Sequence, residues 1–202
     1  MSKIIIFLIL LNLTFAQSIR GYLTSYIKEY NKAVKNDLEK LNVLEINDKH
    51  NWAKVSAGEN TKYFFLWNIN GQDYLVESEC ICPNICEPPD FIFYKAGKYS
   101  SVASPTDFSL AKETAKKKLS VDYKLYFIPA LYSNTIYVFA YTGNNELDIL
   151  DDEFSESSKE ETELLSDCVY KNKKFEIPDD DDMIFIGYYK LSNGKLLFYE
   201  NK

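Results

Sequence analysis

Four cysteines are the side chains of this sequence best suited to covalent or metal chemistry. Cys80, Cys82 and Cys86 lie close together, and Cys168 follows much later in the chain. Three thiolates can bind zinc, but Cys-x-Cys-x3-Cys matches no common zinc ribbon and His50 is the sole histidine. Because the leader described below predicts an oxidising compartment, an even number of cysteines favours two disulfides. We therefore predict disulfides, no bound metal and no cofactor.

The pairing of these cysteines stays open between two alternatives. If the segment around them is a strand, Cys80 and Cys82 point to opposite faces and are poorly placed to bond to each other. Cys168 then pairs with one of these two, and Cys86 closes a short loop with the other. Either arrangement joins the C-terminal half of the chain covalently to the N-terminal half.

Catalytic motifs are absent from the sequence. It contains no Gly-x-Ser-x-Gly, His-Glu-x-x-His, Walker A or Gly-x-Gly-x-x-Gly pattern. A single histidine gives little support to a Ser-His or Cys-His mechanism, and we interpret His50 as a surface residue. We do not expect an enzyme.

The first sixteen residues have the pattern of a secretory signal peptide. Lys3 supplies a positive charge, residues 4–11 form an apolar run, and Ala16 offers a small residue for cleavage before Gln17. The apolar run is short for a membrane span, although an uncleaved anchor is the alternative. We predict a secreted, extracellular protein that does not associate with a membrane after signal cleavage.

The charge balance limits the kinds of partner. The chain carries 30 acidic against 23 basic residues, a net charge of −7, which disfavours nucleic acid and anionic lipid as ligands. The basic run at residues 116–118 is interpreted as the solvated face of a helix. The acidic run at residues 179–182 is interpreted as a solvated turn, because four consecutive acids cannot converge on one calcium ion.

Hydrophobic periodicity predicts a helix followed by strands, twice. Tyr22, Tyr26 and Tyr30 recur at helical spacing within residues 18–39. A second, shorter helix is predicted at residues 108–119, with Thr106 or Asp107 as its cap. Strand-like patterns occupy residues 41–56, 63–69, 72–82, 91–94, 121–130, 135–142, 168–177, 183–191 and 195–199.

The Asn-Gly pairs at residues 70–71 and 193–194 predict tight hairpin turns, because both residue types tolerate positive φ. This order of elements indicates an α+β fold with antiparallel sheets. We divide the chain into a signal peptide (1–16), a first domain (17–100) and a second α+β domain (101–202), which is a candidate structural repeat of the first.

Two short segments carry a resemblance to the cystatin family. Residues 29–32, Glu-Tyr-Asn-Lys, resemble the sequence near the end of the long cystatin helix. Residues 54–58, Lys-Val-Ser-Ala-Gly, resemble the first-hairpin motif Gln-x-Val-x-Gly, and an aromatic strand follows, as it does in cystatins. The resemblance covers about residues 21–82. It implies a helix packed on an antiparallel sheet, with a possible tandem arrangement of two such units.

The resemblance also implies a function. In inhibitory cystatins the hairpin enters the active-site cleft of papain-like cysteine proteases, where a glycine permits close backbone approach. Lys54 stands at the position of the Gln, Ser56 at that of the second Val and Gly58 at that of the Gly. Val55 and Ala57 fill the variable positions with residues common in the family. This segment is therefore the predicted protease-binding site.

Two hypotheses follow, and both have a protein as the partner. The first is a reversible inhibitor of papain-like cysteine proteases, which predicts a hairpin that projects beyond the sheet. The alternative is a non-inhibitory, cystatin-like module that binds another protein or copies of itself in an extracellular assembly. This module would use its aromatic strands, and the hypothesis predicts a large exposed apolar patch or an open sheet edge away from the hairpin.

Overall fold

A computed structural model describes residues 18–58, 60–79, 88–95, 98–142, 169–172, 174–175 and 183–201. The predicted signal peptide, all four cysteines and the acidic run at 179–182 lie outside these ranges. The signal peptide and the disulfides therefore remain predictions. The predicted strand at 168–177 is wrong over its six described residues, which form an isolated bridge from Tyr170 to Ala130 and not a strand.

Helix α1 spans Ile19–Ala33 and packs on one face of a large sheet. Its buried side carries Ile19 and Leu23, neither of which is exposed to solvent, whereas Tyr26 and Tyr30 are only partly buried. The apolar stripe thus starts one turn earlier than the tyrosines predict. A 3-10 turn at Asp37–Glu39 follows the helix.

The first sheet has six antiparallel strands in sequence order. These are β1 (Leu41–Asn47), β2 (Trp52–Ala57), β3 (Asn60–Ile69), β4 (Gln72–Glu79), β5 (Asp90–Lys95) and β6 (Lys98–Val102). The single strand-like segment expected at residues 41–56 is wrong, because a turn at residues 48–51 divides it into β1 and β2. The structure also has six strands here, where the sequence suggests about four.

Both Asn-Gly turns are confirmed. The φ angles are 53° at Asn70 and 78° at Gly71, and 50° at Asn193 and 72° at Gly194, as a type I′ turn requires. The two turns also touch, since the backbone N–H of Asn70 donates to the carbonyl oxygen of Gly194 at 2.7 Å. Two locally encoded turns therefore meet at the contact between the sheets.

The second sheet follows a short helix. Helix α2 spans Ser109–Lys118, and the Asp107 carboxylate accepts a hydrogen bond from the Ser109 N–H at 2.8 Å. The hydroxyl of Thr106, the other predicted cap, donates to the carbonyl of Leu196 instead. The lysines at 116–118 are exposed, as expected. The sheet has the order β10-β9-β8-β7, from strands β7 (Lys124–Pro129), β8 (Thr135–Tyr141), β9 (Met183–Ser192) and β10 (Lys195–Glu200).

The two sheets share one hydrophobic cluster. Three surfaces meet in this cluster: the face of the first sheet that does not contact α1, helix α2, and one face of the second sheet. Its members include Trp52, Phe65, Trp67, Val76, Phe91, Ala111, Ala115, Phe127, Val138 and Tyr189. The Tyr189 hydroxyl lies at the start of α2, where it donates to the carbonyl of Asp107 at 3.0 Å and accepts from the N–H of Ala111 at 3.3 Å. The chain is therefore an α+β protein built mainly from antiparallel sheets.

Helix α1 covers only part of the first sheet. Six strands at about 4.8 Å spacing span roughly 24 Å, whereas a helix with its side chains is about 10 Å wide. The helix packs mainly on β1 to β4, and β5 and β6 extend past it. This difference in width leaves a groove beside the helix.

Candidate functional site

The predicted protease-binding segment lies at the end of β2 and in the turn after it. Val55 is completely buried against α1, and the Lys54 ammonium lies 5.7 Å from the ring centroid of Tyr63. Ser56 and Ala57 are half-buried. Gly58 is exposed. Within this segment the turn itself is therefore the part that a partner reaches first.

Gly58 is required by a contact inside the protein. Its φ is +64°, and a Cβ at this position would lie 2.8 Å from the carbonyl oxygen of Leu38. Strand β1 pairs with β2 as far as Leu41 opposite Ala57, the last residue before the turn. The turn therefore rests against the 3-10 turn at Asp37–Glu39 and has neighbours along one side.

An exposed apolar edge runs beside this turn. Three side chains are open to solvent, with exposed fractions of 76% for Leu38, 43% for Val43 and 56% for Leu44. We call these three residues the β1 edge surface. Strand β1 is the outermost strand of its sheet, and a bulge between Val43 and Glu45 leaves Leu44 without a partner on β2. An edge strand with exposed apolar side chains is a common site for pairing with another strand.

Asn31 holds the start of β1 against the helix. Its Nδ2 donates to the carbonyl of Leu41 at 2.9 Å, and its Oδ1 accepts from the Leu41 N–H at 2.8 Å. In an antiparallel strand the N–H and C=O of residues two apart point the same way. The backbone groups of Val43 therefore point away from β2, toward the open side of the edge.

The groove beside α1 is a cavity with aromatic and acidic walls. Its volume is about 650 Å3, and it lies between α1 and strands β5 and β6. Aromatic rings and carboxylates form its walls; the residues used below are Tyr26, Tyr30, Tyr99, Glu29, Glu77 and Asp90. The ring centroids of Tyr26 and Tyr99 are 5.4 Å apart, and those of Tyr26 and Tyr30 are 6.0 Å apart.

Burial in the groove favours the neutral form of its phenols. Burial, together with the negative charge of Glu77, raises the pKa of Tyr26 well above its usual range, and burial also raises the pKa of Tyr99. The Lys62 ammonium lies 2.7 Å from Glu77, with both side chains mostly buried. The Tyr99 N–H donates to Glu29 at 3.4 Å. Lys98 also borders the groove.

His50 lies in a smaller polar cavity of about 230 Å3. Its ring meets that of Tyr132 edge to face at a centroid distance of 5.1 Å, so the turn between β1 and β2 touches the turn between β7 and β8. Within the part of the chain that the structure describes, no cluster of His, Cys, Asp and Glu can hold a metal ion. None of the helices there has the length and apolar character of a membrane span.

Sequence reasoning identified the hairpin residues but not the edge or the groove. Leu38 and Leu44 carry no motif, and the groove lining comes from α1, β4, β5 and β6, which are far apart in sequence. No protein-family model matches the chain, and neither a curated protein nor a solved structure shows significant similarity to it.

Proposed function

We propose that this chain is a secreted, non-enzymatic protein-binding module of cystatin-like architecture. Its partner contributes an extended strand that pairs with β1. The observation that carries the proposal is the β1 edge surface, where exposed Val43 and Leu44 lie on an outermost strand and exposed Leu38 lies in the 3-10 turn before it. For a non-inhibitory module the sequence predicts an edge away from the hairpin, but this edge lies beside the hairpin. Strand addition to an open edge combines backbone hydrogen bonds with side-chain contacts.

The cystatin-like part of the proposal is supported by the layout of residues 18–102. One helix lies across a meander of consecutive antiparallel strands, which is the arrangement that the resemblance implies. The second half repeats the order of a helix and a consecutive meander, with four strands and a shorter helix. A tandem origin of the two halves is part of this proposal.

The strand that pairs with β1 comes either from a second copy of this chain or from another protein. Sedimentation velocity of the mature protein tests the first source, and fluorescence anisotropy with a labelled peptide of residues 41–47 tests strand addition directly. Leu44→Lys should abolish both signals, because a charge at the edge opposes pairing. Leu110→Lys, at an exposed leucine of α2, is the matched control. A monomer that does not bind the peptide would refute pairing between copies of this chain and leave only a strand from another protein.

Inhibition of a papain-like cysteine protease is the second candidate. It is favoured by the exposed Gly58 turn next to Leu38, since together they give one end of the molecule an apolar tip. Substitution of Gly58 is a poor test, because a side chain there meets the Leu38 backbone. Leu38→Glu changes the tip without burying a charge, and Leu44→Lys alters only the edge.

The protease assay measures papain activity against increasing concentrations of each purified protein. Inhibition that Leu38→Glu loses and Leu44→Lys keeps would support occlusion of the cleft by the tip. Absence of inhibition at micromolar protein would rule this candidate out and leave strand addition untouched. The two surface variants, Leu38→Glu and Leu44→Lys, therefore distinguish the two candidate functions.

A further inference from the structure

The groove beside α1 has the composition of a site for an organic cation. Its volume of about 650 Å3 falls within the range of small-ligand pockets, roughly 300–1,000 Å3. Three tyrosine rings, those of Tyr26, Tyr30 and Tyr99, border the same space. Aromatic faces attract ammonium and guanidinium groups, and they do so more strongly where water is partly excluded.

Carboxylates in the groove supply the complementary charge. Glu77 is already paired with Lys62 at 2.7 Å. Glu29 receives one backbone hydrogen bond, at 3.4 Å from the Tyr99 N–H, and keeps acceptor capacity for a further donor. Asp90 also borders the groove, and no hydrogen bond or ion pair of its side chain is found among the described residues. Two carboxylates therefore remain for a ligand.

Lysines are fewer than carboxylates at this site. Glu29, Glu77 and Asp90 face Lys62 and Lys98, which leaves one net negative charge. One monovalent cation would neutralise the groove. Lys98 is exposed and borders the groove at the start of β6, so its ammonium competes with a ligand for the same carboxylates.

We propose that this groove binds a guanidinium or alkylammonium group, held between the rings of Tyr26, Tyr30 and Tyr99 and the carboxylates of Glu29 and Asp90. The group is either a free organic amine or the side chain of an arginine or lysine on a peptide. The site lies on the helix-covered face of the first sheet, and it does not depend on the proposed strand addition at β1.

Isothermal titration calorimetry with defined probes tests the site. The probes are n-butylguanidinium chloride, the blocked tripeptide acetyl-Gly-Arg-Gly-amide, and the same peptide with citrulline, a neutral isostere of arginine. We expect saturable binding of the cationic probes and about tenfold weaker binding of the citrulline peptide, as the loss of cation–π and charge-assisted contacts implies. Equal binding of butylguanidinium and the arginine peptide would indicate a free amine, and preference for the peptide would indicate a protein side chain.

Variants locate the binding. The double substitution Glu29→Gln with Asp90→Asn should weaken the arginine peptide about tenfold, and Tyr30→Leu should weaken it several-fold by removing one ring face. Asp122→Asn, at an exposed carboxylate outside the groove, should leave affinity unchanged. Circular dichroism confirms that each variant is folded. Equal affinity for the citrulline peptide, or an equal loss in Asp122→Asn, would overturn the proposal.

Discussion

Replacing Asn31 with alanine should detach the start of β1 from helix α1. The substitution removes two hydrogen bonds, at 2.9 and 2.8 Å, that satisfy both backbone groups of Leu41. Leu41 is only 2% exposed, so water replaces these bonds poorly. Each bond contributes about 1 kcal/mol, and an unsatisfied buried group costs about 1–3 kcal/mol.

One opposing effect lowers the expected loss. Alanine is a better helix former than asparagine by about 0.6 kcal/mol, and residue 31 lies within the helix. We therefore expect the free energy of unfolding to fall by about 2 kcal/mol. Lys32→Ala is the matched control, because its side chain is exposed on the same turn and its loss should change stability by less than about 0.5 kcal/mol.

Urea unfolding followed by circular dichroism measures the global effect, and amide hydrogen exchange measures the local one. Exchange at the Leu41 amide should accelerate in Asn31→Ala and remain slow in Lys32→Ala, because that amide donates to Asn31. Asn31→Asp keeps the acceptor but removes the donor at neutral pH. Its loss of unfolding free energy should therefore become smaller in acid, where the carboxyl group becomes protonated and can donate again. An unfolding free energy equal to that of the control, with unchanged exchange at Leu41, would refute the reasoning.

Four further substitutions test the packing. Gly187→Ala should lower the free energy of unfolding by about 3 kcal/mol, because its Cβ would collide with the carbonyl oxygen of Tyr199. Gly71→Ala, which has open space around it, should lower it by only about 1 kcal/mol. Thermal unfolding compares the two variants, and equal losses of stability would contradict this reasoning. Burial raises the pKa of Tyr189 from 10.0 to about 12, so the folded state keeps the phenol protonated at a pH where the unfolded chain loses the proton. The free energy of unfolding should therefore fall as pH rises from 10 to 12. In Tyr189→Phe the unfolding free energy should fall less steeply with pH over this range, and a slope identical to that of the unsubstituted protein would contradict the prediction. Val55→Ala should lower unfolding free energy by about 2 kcal/mol, since the side chain is fully buried; a loss in urea unfolding below about 0.5 kcal/mol, the range of exposed sites, would place it at the surface.

The features predicted well are those encoded within a few residues. The Asn-Gly pairs at 70–71 and 193–194 form the turns expected of them, because positive φ is a property of those residues themselves. Helix α2 lies within one residue of the predicted range at each end. The predicted cap is wrong, because the N-cap is Phe108 and makes no side-chain cap hydrogen bond; Asp107, one residue earlier, accepts from the Ser109 N–H.

The division between β1 and β2 was missed because a bulge disturbs the alternation. Val43 and Leu44 are consecutive apolar residues, and the register with β2 shifts between Val43 and Glu45. A two-residue period cannot describe a strand that contains an extra residue. The polar turn that follows has Asn51 at a φ of 53°, but it lacks a glycine that would mark it in the sequence.

The candidate sites were harder to predict, because they depend on how elements meet. The segment 29–32 is identified in the sequence by its resemblance to cystatins. The two hydrogen bonds from Asn31 to Leu41, however, depend on β1 returning beside the helix. The groove exists because a single helix is narrower than six strands. No local pattern near Tyr99 or Asp90 indicates that either residue faces α1.

The cluster shared by the two sheets has a consequence for biosynthesis. A ribosome releases the N-terminal half first, so β1 to β6 are complete before β9 and β10 have been made. Until then Trp52, Phe65 and Trp67, which the second sheet covers in the finished protein, have no partner surface. The nascent chain therefore presents a broad aromatic face until β9 and β10 have been made and the Asn193-Gly194 turn closes against Asn70.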